Sequence, residues 1–567
     1  MQDTESGNWD EAVDLLIVGS GAGAMTAALV GYDAGASVLL IEKSDLYGGS
    51  SAMSGGGFWV PNNHLMAGVG IEDNPEDAWT YLRETTAGDV PEDRLRAYLE
   101  KAPEMVKYLS ERTRAEFVAL PEYADYYQRV PGSRPGGRSL EPTNFDAGLL
   151  EDEFLKMREQ NPQMLIMKRI FMTVYEARTM LTRTPGWIGI TMRLMARYWL
   201  DLPWRFKSPR DRNLAMGNAL VGMLRRSLMD RDIPLWLNTP AQELIVEDDR
   251  VVGVAAEREG RPIRIRADKG VVLAAGGFEG SQTMREQYLP NPTRTEWSCA
   301  NKNNTGDAIN MGQKLGAALD LMSDAWWGPT TVVPGEEHAR MLVIEKSLPG
   351  SILVNKAGER FVNEAAPYID VVNSMQAQDS PEKPCVPAYL VFDASFRQKY
   401  PCGPILQASQ QPDRFLRGAL ASYFKKADTL DALAAQLGVD AKGLAASVQK
   451  INDYARTGED LDFHRGETVF DRYYGDEKVT PNPCLAPIEK PPFYGLEAYP
   501  GELGTKGGLR TDANARVLKE SGEAIPGLYA IGNCSASVMG HSYPGAGSTL
   551  GPATTFGYIA AHHATGS

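Results

Sequence analysis

Cysteine and histidine are scarce in this chain of 567 residues, and their scarcity closes several routes to function. The five cysteines, Cys299, Cys385, Cys402, Cys484 and Cys534, form no C-x-x-C pair and are odd in number. That argues against a disulfide framework and fits a reducing compartment. The six histidines, His64, His338, His464, His541, His562 and His563, are scattered. With no H-x-x-x-H or mixed Cys/His spacing, no metal site is expected. His562 and His563 fall beside a loose tail and read as a solvated face. A G-x-S-x-G elbow is also missing, which removes the serine hydrolases. No uncharged run is long enough to span a bilayer, and the stretch Met1 to Asp10 is polar and acidic rather than signal-like. Positive charge is in deficit, 58 Lys and Arg against 73 Asp and Glu, for a net −15. That balance argues against a nucleic-acid partner and for an acidic enzyme, expected in the cytoplasm.

What is present is glycine in ordered places. Leu15 to Val18 is a short apolar run of the kind a buried parallel strand requires. It breaks at Gly19-Ser20-Gly21-Ala22-Gly23-Ala24, and an Ala-rich helical stretch follows to about Ala34. Gly19 permits the tight turn, Gly21 lets backbone approach a pyrophosphate, and Ala24 lets the helix pack closely on the strand. Phosphates would sit at the helix N-terminus, where free N–H groups and the dipole favour negative charge. A second strand, Ser37 to Ile41, ends at Glu42, the right distance on to accept the hydroxyls of an adenosine ribose. Strand, glycines, helix, strand and acid in this order predict a dinucleotide cofactor.

Directly after the acid comes Tyr47-Gly48-Gly49-Ser50-Ser51-Ala52-Met53-Ser54-Gly55-Gly56-Gly57. Gly and Ser at this density let backbone wrap closely round something. NAD does not need this second wrap; FAD does. Val271-Val272-Leu273-Ala274-Ala275-Gly276-Gly277 reads as a buried strand ending in a glycine pair, and Gly527 to Asn533 as a strand that stops at a turn. A helical run from about Ser548 to His563 closes the chain, its N–H groups placed to stabilise negative charge on a reduced flavin. With no His or Cys motif for covalent attachment, the FAD is expected to be noncovalent.

These landmarks resemble the fumarate reductase and succinate dehydrogenase flavoprotein superfamily. Within it, the chain is most similar to the bacterial 3-ketosteroid Δ1-dehydrogenases. The resemblance rests on Gly19 to Ala24, Gly48 to Gly57, Asn303-Asn304-Thr305-Gly306-Asp307, Arg360-Phe361-Val362-Asn363-Glu364, Leu503-Gly504-Thr505-Lys506-Gly507-Gly508 and Tyr543-Pro544-Gly545-Ala546-Gly547. It implies an α/β fold in which a Rossmann-like FAD-binding domain is split by an inserted α+β catalytic domain. The expected divisions are 1–323, 324–503 and 504–567. Within the insert, Leu430 to Leu437 and Lys442 to Ala455 have the apolar spacing of amphipathic helices. The implied cofactor positions are Gly19, Ser20, Gly21, Ala22, Gly23 and Ala24, then Glu42 and Lys43. Gly48, Gly49, Ser50, Ser51, Ser54, Gly55 and Gly56 follow, with Ala275, Gly276 and Gly277. Asn304, Thr305, Asp307, Gly532, Asn533, Gly547, Thr549 and Leu550 complete the set.

The resemblance also implies the chemistry. Its motifs fall on Tyr126, the first Tyr after Asp125, on Tyr368 and on Tyr543 with Gly547. The Tyr543 hydroxyl and the Gly547 N–H would hydrogen-bond the C3 carbonyl oxygen of a 3-keto-steroid as an oxyanion hole. Tyr368 would take the C2 proton, with Tyr126 stabilising its phenolate, while the C1 hydride leaves for the flavin and an external electron acceptor later reoxidises it. A phenol has a pKa near ~10, so this base needs help, from a hydroxyl donor or a positive helix end. A fumarate reductase-type enzyme needs cationic Arg and His to clamp two carboxylates. Here Ser542-Tyr543-Pro544 stands where that type places an Arg, with none following before Gly557. A Δ4-dehydrogenase of 3-keto-5α-steroids is an alternative of the same type.

Residues about 150 to 212 are extra to the plainer members. They carry Met164, Leu165, Ile166, Met167, Ile170, Phe171, Met172, Trp187, Ile188, Trp199 and Trp204, with Lys168, Arg169, Arg178, Arg183, Arg193, Arg197, Arg205, Lys207 and Arg210. Basic amphipathic helices on an acidic protein suit an anionic bilayer surface, contacted through 164–207. Packing on the protein's own body or on a second subunit of an oligomer fits the same composition.

Overall fold

The computed structural model of the chain describes residues 9–181 and 184–567. Most of the acidic amino-terminal stretch and Arg183 therefore lie outside the described residues. Strand Glu11–Val18 is the middle of the larger sheet. It pairs in parallel with Val38–Ile41 on one side and with Arg261–Leu273 on the other. Leu235–Trp236 extends the first side in parallel. On the second side Ala524–Ala530 pairs in parallel with Arg261–Leu273, and Arg516–Leu518 runs antiparallel beyond it. A parallel sheet is covered on both faces, which is why Leu15, Leu16 and Ile17 are wholly buried. The predicted strands and the helix Ala22–Asp33 thus stand within a few residues of their expected bounds.

The Ala-rich helix has a packing reason. Its residues Ala22 to Gly31 are all buried, and it lies against the closing helix Leu550–Thr565. A Cβ on Gly23 would stand 2.6 Å from the Ala553 carbonyl oxygen, and one on Gly557 would stand 2.5 Å from that of Gly23. The tightest approach of this helix is therefore at Gly23, against the closing helix. Gly19 holds φ +118 and faces the Ala274 backbone, so the first turn needs glycine there for both conformation and space.

A second, antiparallel sheet draws its strands from residues 325–505. Ala325–Thr331 pairs with Phe493–Thr505, which pairs in turn with Ala388–Phe392, and that with Ser351–Val354. Helices Leu430–Leu437 and Ala441–Thr457 bury Leu433, Leu437, Leu444, Val448 and Ile451 against Ile352, Val354 and Val391. A small three-stranded sheet, Phe58–Trp59, Ser139–Pro142 and Phe117–Ala119, frames the loop that carries Tyr123, Tyr126 and Tyr127.

The extra segment forms short helices at Val174–Leu181, Trp187–Leu200 and Leu202–Lys207. Four of its basic side chains pair within the chain, Lys168 on Glu336, Arg178 on Glu122, Arg193 on Glu176 and Arg197 on Asp211, and of these Lys168 and Arg193 stay largely exposed. Ile170, Phe171 and Trp204 are buried, whereas Ile188, Met192, Trp199, Leu200, Leu202 and Phe206 are exposed. Among the described residues, no helix is long and apolar enough to cross a membrane, and no cluster of side chains could hold a metal ion. All five cysteines are free and buried.

Candidate active site

Tyr126 sits in a loop with no regular hydrogen-bond ladder, so its position depends on side chains. The neighbouring Asp125 is buried and accepts from Trp59 Nε1 at 2.7 Å, from the Arg134 N–H at 2.8 Å and from Arg138 at 2.7 Å. Arg138 is held in turn by Asp73 at 2.7 Å. The Tyr126 N–H donates to the Pro544 carbonyl at 2.9 Å, and the Tyr81 hydroxyl donates to the same oxygen at 2.6 Å. The loop that bears Tyr126 is thereby tied to the turn that bears Tyr543. Tyr368 is the first residue of helix Tyr368–Gln378, directly after Pro367, so its ring leaves from the positive end of a helix.

The three predicted tyrosines meet. The Tyr126 hydroxyl donates to that of Tyr368 at 3.0 Å. Tyr543 stacks on Tyr126, centroids 5.2 Å apart, and meets Tyr368 edge-on at 5.3 Å. Their exposures are 3%, 8% and 4% for Tyr126, Tyr368 and Tyr543, so the hydroxyls lie in a nearly dry site. Burial pushes Tyr126 and Tyr368 well above the usual phenol range, and the Tyr126 hydroxyl opposes the rise at Tyr368. Burial raises Tyr543 as well, against the effect of the Tyr368 hydroxyl. Gly547 holds φ +102, and a Cβ there would strike the Phe58 backbone. Only glycine suits that position.

All three tyrosines and Gly547 line one cavity of about 1220 Å³. The same cavity is lined by Gly19 to Ala24, Glu42, Lys43, Gly49, Ser50, Ser51 and Ser54 to Gly56. Ala275, Gly276, Asn304, Asp307, Gly532, Asn533, Thr549 and Leu550 also line it. Three expected cofactor positions do not. Gly48, at φ +104, caps the short helix Gly49–Met53 and donates its N–H to Ser20 Oγ at 3.1 Å. Gly277 packs against Thr505 and Glu279. Thr305 receives Lys43 Nζ at 2.9 Å and donates to Asp307 at 2.8 Å.

The donor set fits a dinucleotide. Helix Ala22–Asp33 opens on the cavity with no cap from Gly21 and no acid in its first turn, and its Ala22 N–H donates to Ser51 Oγ at 3.0 Å. Glu42 accepts from Ser20 Oγ at 2.6 Å and from the Ser44 N–H at 3.0 Å, which leaves its carboxylate with further acceptor capacity. Thr549 Oγ1 is buried with no hydrogen-bond partner of normal geometry among the described residues, at the uncapped start of the closing helix. The cavity is also lined by Met164, Leu165, Met172, Met180 and Trp187 of the extra segment and by Pro404 and Leu406. No histidine lines it among the described residues. Lys43, Lys168, Arg178 and Arg340 are each paired with a carboxylate, and the lining Lys399 is exposed. Among the described residues, no clamp for two substrate carboxylates is assembled here.

Several residues around the tyrosines were not singled out from sequence. Tyr127 donates to Asp370 at 3.4 Å and accepts from the Tyr543 N–H at 3.3 Å. Tyr123 and Tyr474 share a hydrogen bond of 2.7 Å. Trp326, at the start of a buried strand, meets Tyr543 edge-on at 4.9 Å. Tyr123 and Tyr127 stand close to Tyr126 in the sequence, but nothing in spacing links that stretch to residues 326, 370 or 474.

Comparison with known proteins identifies relatives along nearly the whole chain. The FAD binding domain family matches residues 14–550. A 3-oxosteroid 1-dehydrogenase of Mycobacterium tuberculosis is 42% identical, over 97% of this chain and 98% of its own. A 4-oxocyclohexanecarboxylate 2-dehydrogenase of Sinomonas cyclohexanicum is 37% identical, over 96% of this chain and 92% of its own. The crystal structure of a 3-ketosteroid Δ1-dehydrogenase from Sterolibacterium denitrificans, in complex with 1,4-androstadiene-3,17-dione, superposes with a TM-score of 0.95. It is 50% identical, and the match covers 98% of this chain and 100% of that one.

Proposed function

The chain belongs to the FAD-binding-domain family and, within it, to the 3-oxosteroid 1-dehydrogenases, and from that premise we infer that it introduces a C1–C2 double bond into 3-ketosteroids. The observation that carries the reading is the meeting of Tyr126, Tyr368 and Tyr543 in the cavity whose other wall is the glycine cradle. FAD, when bound, supplies the two-electron acceptor for the hydride that leaves C1. The Gly19 to Ala24 backbone, Glu42, Ser50, Ser51, Asn533 and the start of helix Leu550–Thr565 would hold it.

We assign the remaining steps to this chain's own side chains. The Tyr543 hydroxyl and the Gly547 N–H donate to the C3 oxygen, where charge builds as the C2 proton leaves. Tyr368 takes that proton. In a dry site a phenolate is costly, so its help must be local: the Tyr126 hydroxyl at 3.0 Å and the start of helix Tyr368–Gln378 both favour negative charge on its oxygen. The polypeptide is read as an FAD-binding domain, 1–323 and 504–567, split by a catalytic domain. The two sheets, one with strands from 11–273 and 516–530 and the other from 325–505, support that division.

The extra segment supports a surface role. Its exposed Ile188 and Met192 share the helix Trp187–Leu200 with the cavity-lining Trp187 and Thr191, and the exposed Trp199, Leu200, Leu202 and Phe206 continue the apolar set to the other end of that helix and into the next. A steroid dissolves in bilayers, so an apolar face beside the cavity suits a membrane surface as its source. The exposed apolar residues carry this reading, with Lys168 and Arg193 exposed, though paired, in the same segment. The reading as a whole is tested by anaerobic mixing with 4-androstene-3,17-dione. Loss of the yellow flavin absorbance and a 1,4-diene product by NMR are expected. With 5α-androstane-3,17-dione in its place, a double bond formed at C4 and none at C1 would overturn it in favour of the Δ4 alternative.

A further inference from the structure

Each of the two tyrosines with an assigned proton or oxyanion role follows a turn whose carbonyls converge on one buried lysine. Lys506, wholly buried, donates to the carbonyls of Gly540 at 3.1 Å and Ser542 at 2.7 Å, just before Tyr543. Asp324 stands 3.3 Å from its ammonium and also receives Trp327 Nε1 at 2.7 Å and His541 Nδ1 at 3.0 Å. The ammonium lies 4.7 Å from the centre of the Trp326 ring, the ring that meets Tyr543 edge-on. Lys346, equally enclosed, donates to the carbonyls of Glu364 at 2.9 Å and Ala366 at 2.7 Å, just before Tyr368. Neither lysine lines the cavity.

Burying an ammonium is expensive, and an apolar chain of similar length would fill the same space at lower desolvation cost. What the amine adds is N–H donors that gather two carbonyl dipoles to one point. Neither turn is helical or stranded at the carbonyls concerned, so the backbone there lacks a ladder to fix it. We propose that Lys506 and Lys346 are positioning residues, one for each tyrosine. Lys506 fixes the turn that aims Tyr543 at the substrate carbonyl oxygen, and Lys346 fixes the turn that aims Tyr368 at the proton. The inference rests on the tyrosine roles assigned above. Preorganised donors act by being aimed before charge develops, and a misplacement of about 1 Å costs on the order of 10²-fold in rate.

A double-mutant cycle tests it in the FAD-loaded enzyme, with turnover of 4-androstene-3,17-dione and flavin absorbance read together. Lys506→Met should lower kcat by roughly 10–10²-fold in the wild-type background. In a Tyr543→Phe background it should add less than about twofold, because the donor it aims is gone. Lys346→Met serves the other tyrosine and should multiply with Tyr543→Phe within about twofold. An equal fall for Lys506→Met in both backgrounds, or no fall in either, overturns the assignment. Should a methionine variant lose FAD, Lys→Gln at the same position keeps an amide donor without the charge and enters the same cycle. Loss of FAD in both variants of Lys506 also overturns it, since the lysine then serves the fold. Normal turnover by Tyr543→Phe alone would remove the parent mechanism together with this inference, whereas an additive cycle removes the inference only.

Discussion

The glycine cradle and the tyrosine cluster share one cavity but work by opposite means. The cradle acts through backbone, and its residues matter for what they lack: Gly19 for a Cβ that would strike the Ala274 carbonyl, Gly23 for one that would strike Ala553. The cluster acts through side chains delivered by a loop, a helix start and a turn that are far apart in the chain. A backbone site tolerates change in almost none of its atoms, and its glycine turn, local in the chain, is closed by backbone from Ala274 and Ala553. A side-chain site can lose one hydroxyl at a time, and each loss has its own size.

That contrast can be broken first at the cradle. Gly21→Val should yield protein without FAD, because a branched side chain occupies the space a pyrophosphate needs. Glu42→Ala removes hydrogen bonds without adding bulk and should only weaken binding. A yellow, fully loaded Gly21→Val enzyme would show that the cradle is not a backbone site. Among the tyrosines, Tyr368→Phe should stop both turnover and solvent deuterium exchange at C2, with FAD retained. Exchange at the wild-type rate would take the base away from Tyr368. Tyr543→Phe keeps the ring and removes one oxyanion donor, a loss of ~10²–10³ in turnover. Tyr126→Phe should fall between wild type and Tyr368→Phe, since it tunes the base without replacing it.

Smaller effects sharpen the comparison at its edges. Phe206→Asp with Leu200→Asp should reduce sedimentation with liposomes and leave turnover of a short androstane unchanged. Equal sedimentation of variant and wild type would favour packing against another subunit. Behind the cradle, Glu279 is buried, accepts from Asn304 at 2.6 Å, and is pushed up to about 7 by burial. Its folded pKa is above the unfolded value, so the folded state holds the proton more tightly. Stability from this group is present below the unfolded pKa and is lost as pH rises through about 7. Glu279→Gln should therefore raise the melting temperature relative to wild type at pH 8 and have least effect near pH 5. The reverse order would mean that the carboxylate is stabilised in place.

How far each region could be read from sequence follows from the same contrast. The strand Glu11–Val18, the turn at Gly19 and the helix Ala22–Asp33 are local, so spacing alone announced them. Helix Leu430–Leu437 was equally plain from its apolar period. Gly48, Gly277 and Thr305 look the same as their neighbours in sequence, and only the fold shows them turned to packing or to Lys43. The three tyrosines were found through resemblance, because nothing local separates Tyr126 from Tyr127. In the structure the difference is plain: Tyr126 faces Tyr368, while Tyr127 faces Asp370. The pairing of the basic residues at 164–210 was likewise hidden, since Glu336 and Glu122 come from distant segments.

The contact between Gly23 and the closing helix has a consequence for biosynthesis. The first strand and its glycine turn leave the ribosome long before the helix that closes over them. Domains fold during synthesis largely from the N-terminal side, but here the opening motif waits, incomplete, for a partner made after both sheets. A chain interrupted just before Leu550 carries all three tyrosines and the whole Gly19 to Ala24 turn, and lacks the helix against which that turn is built.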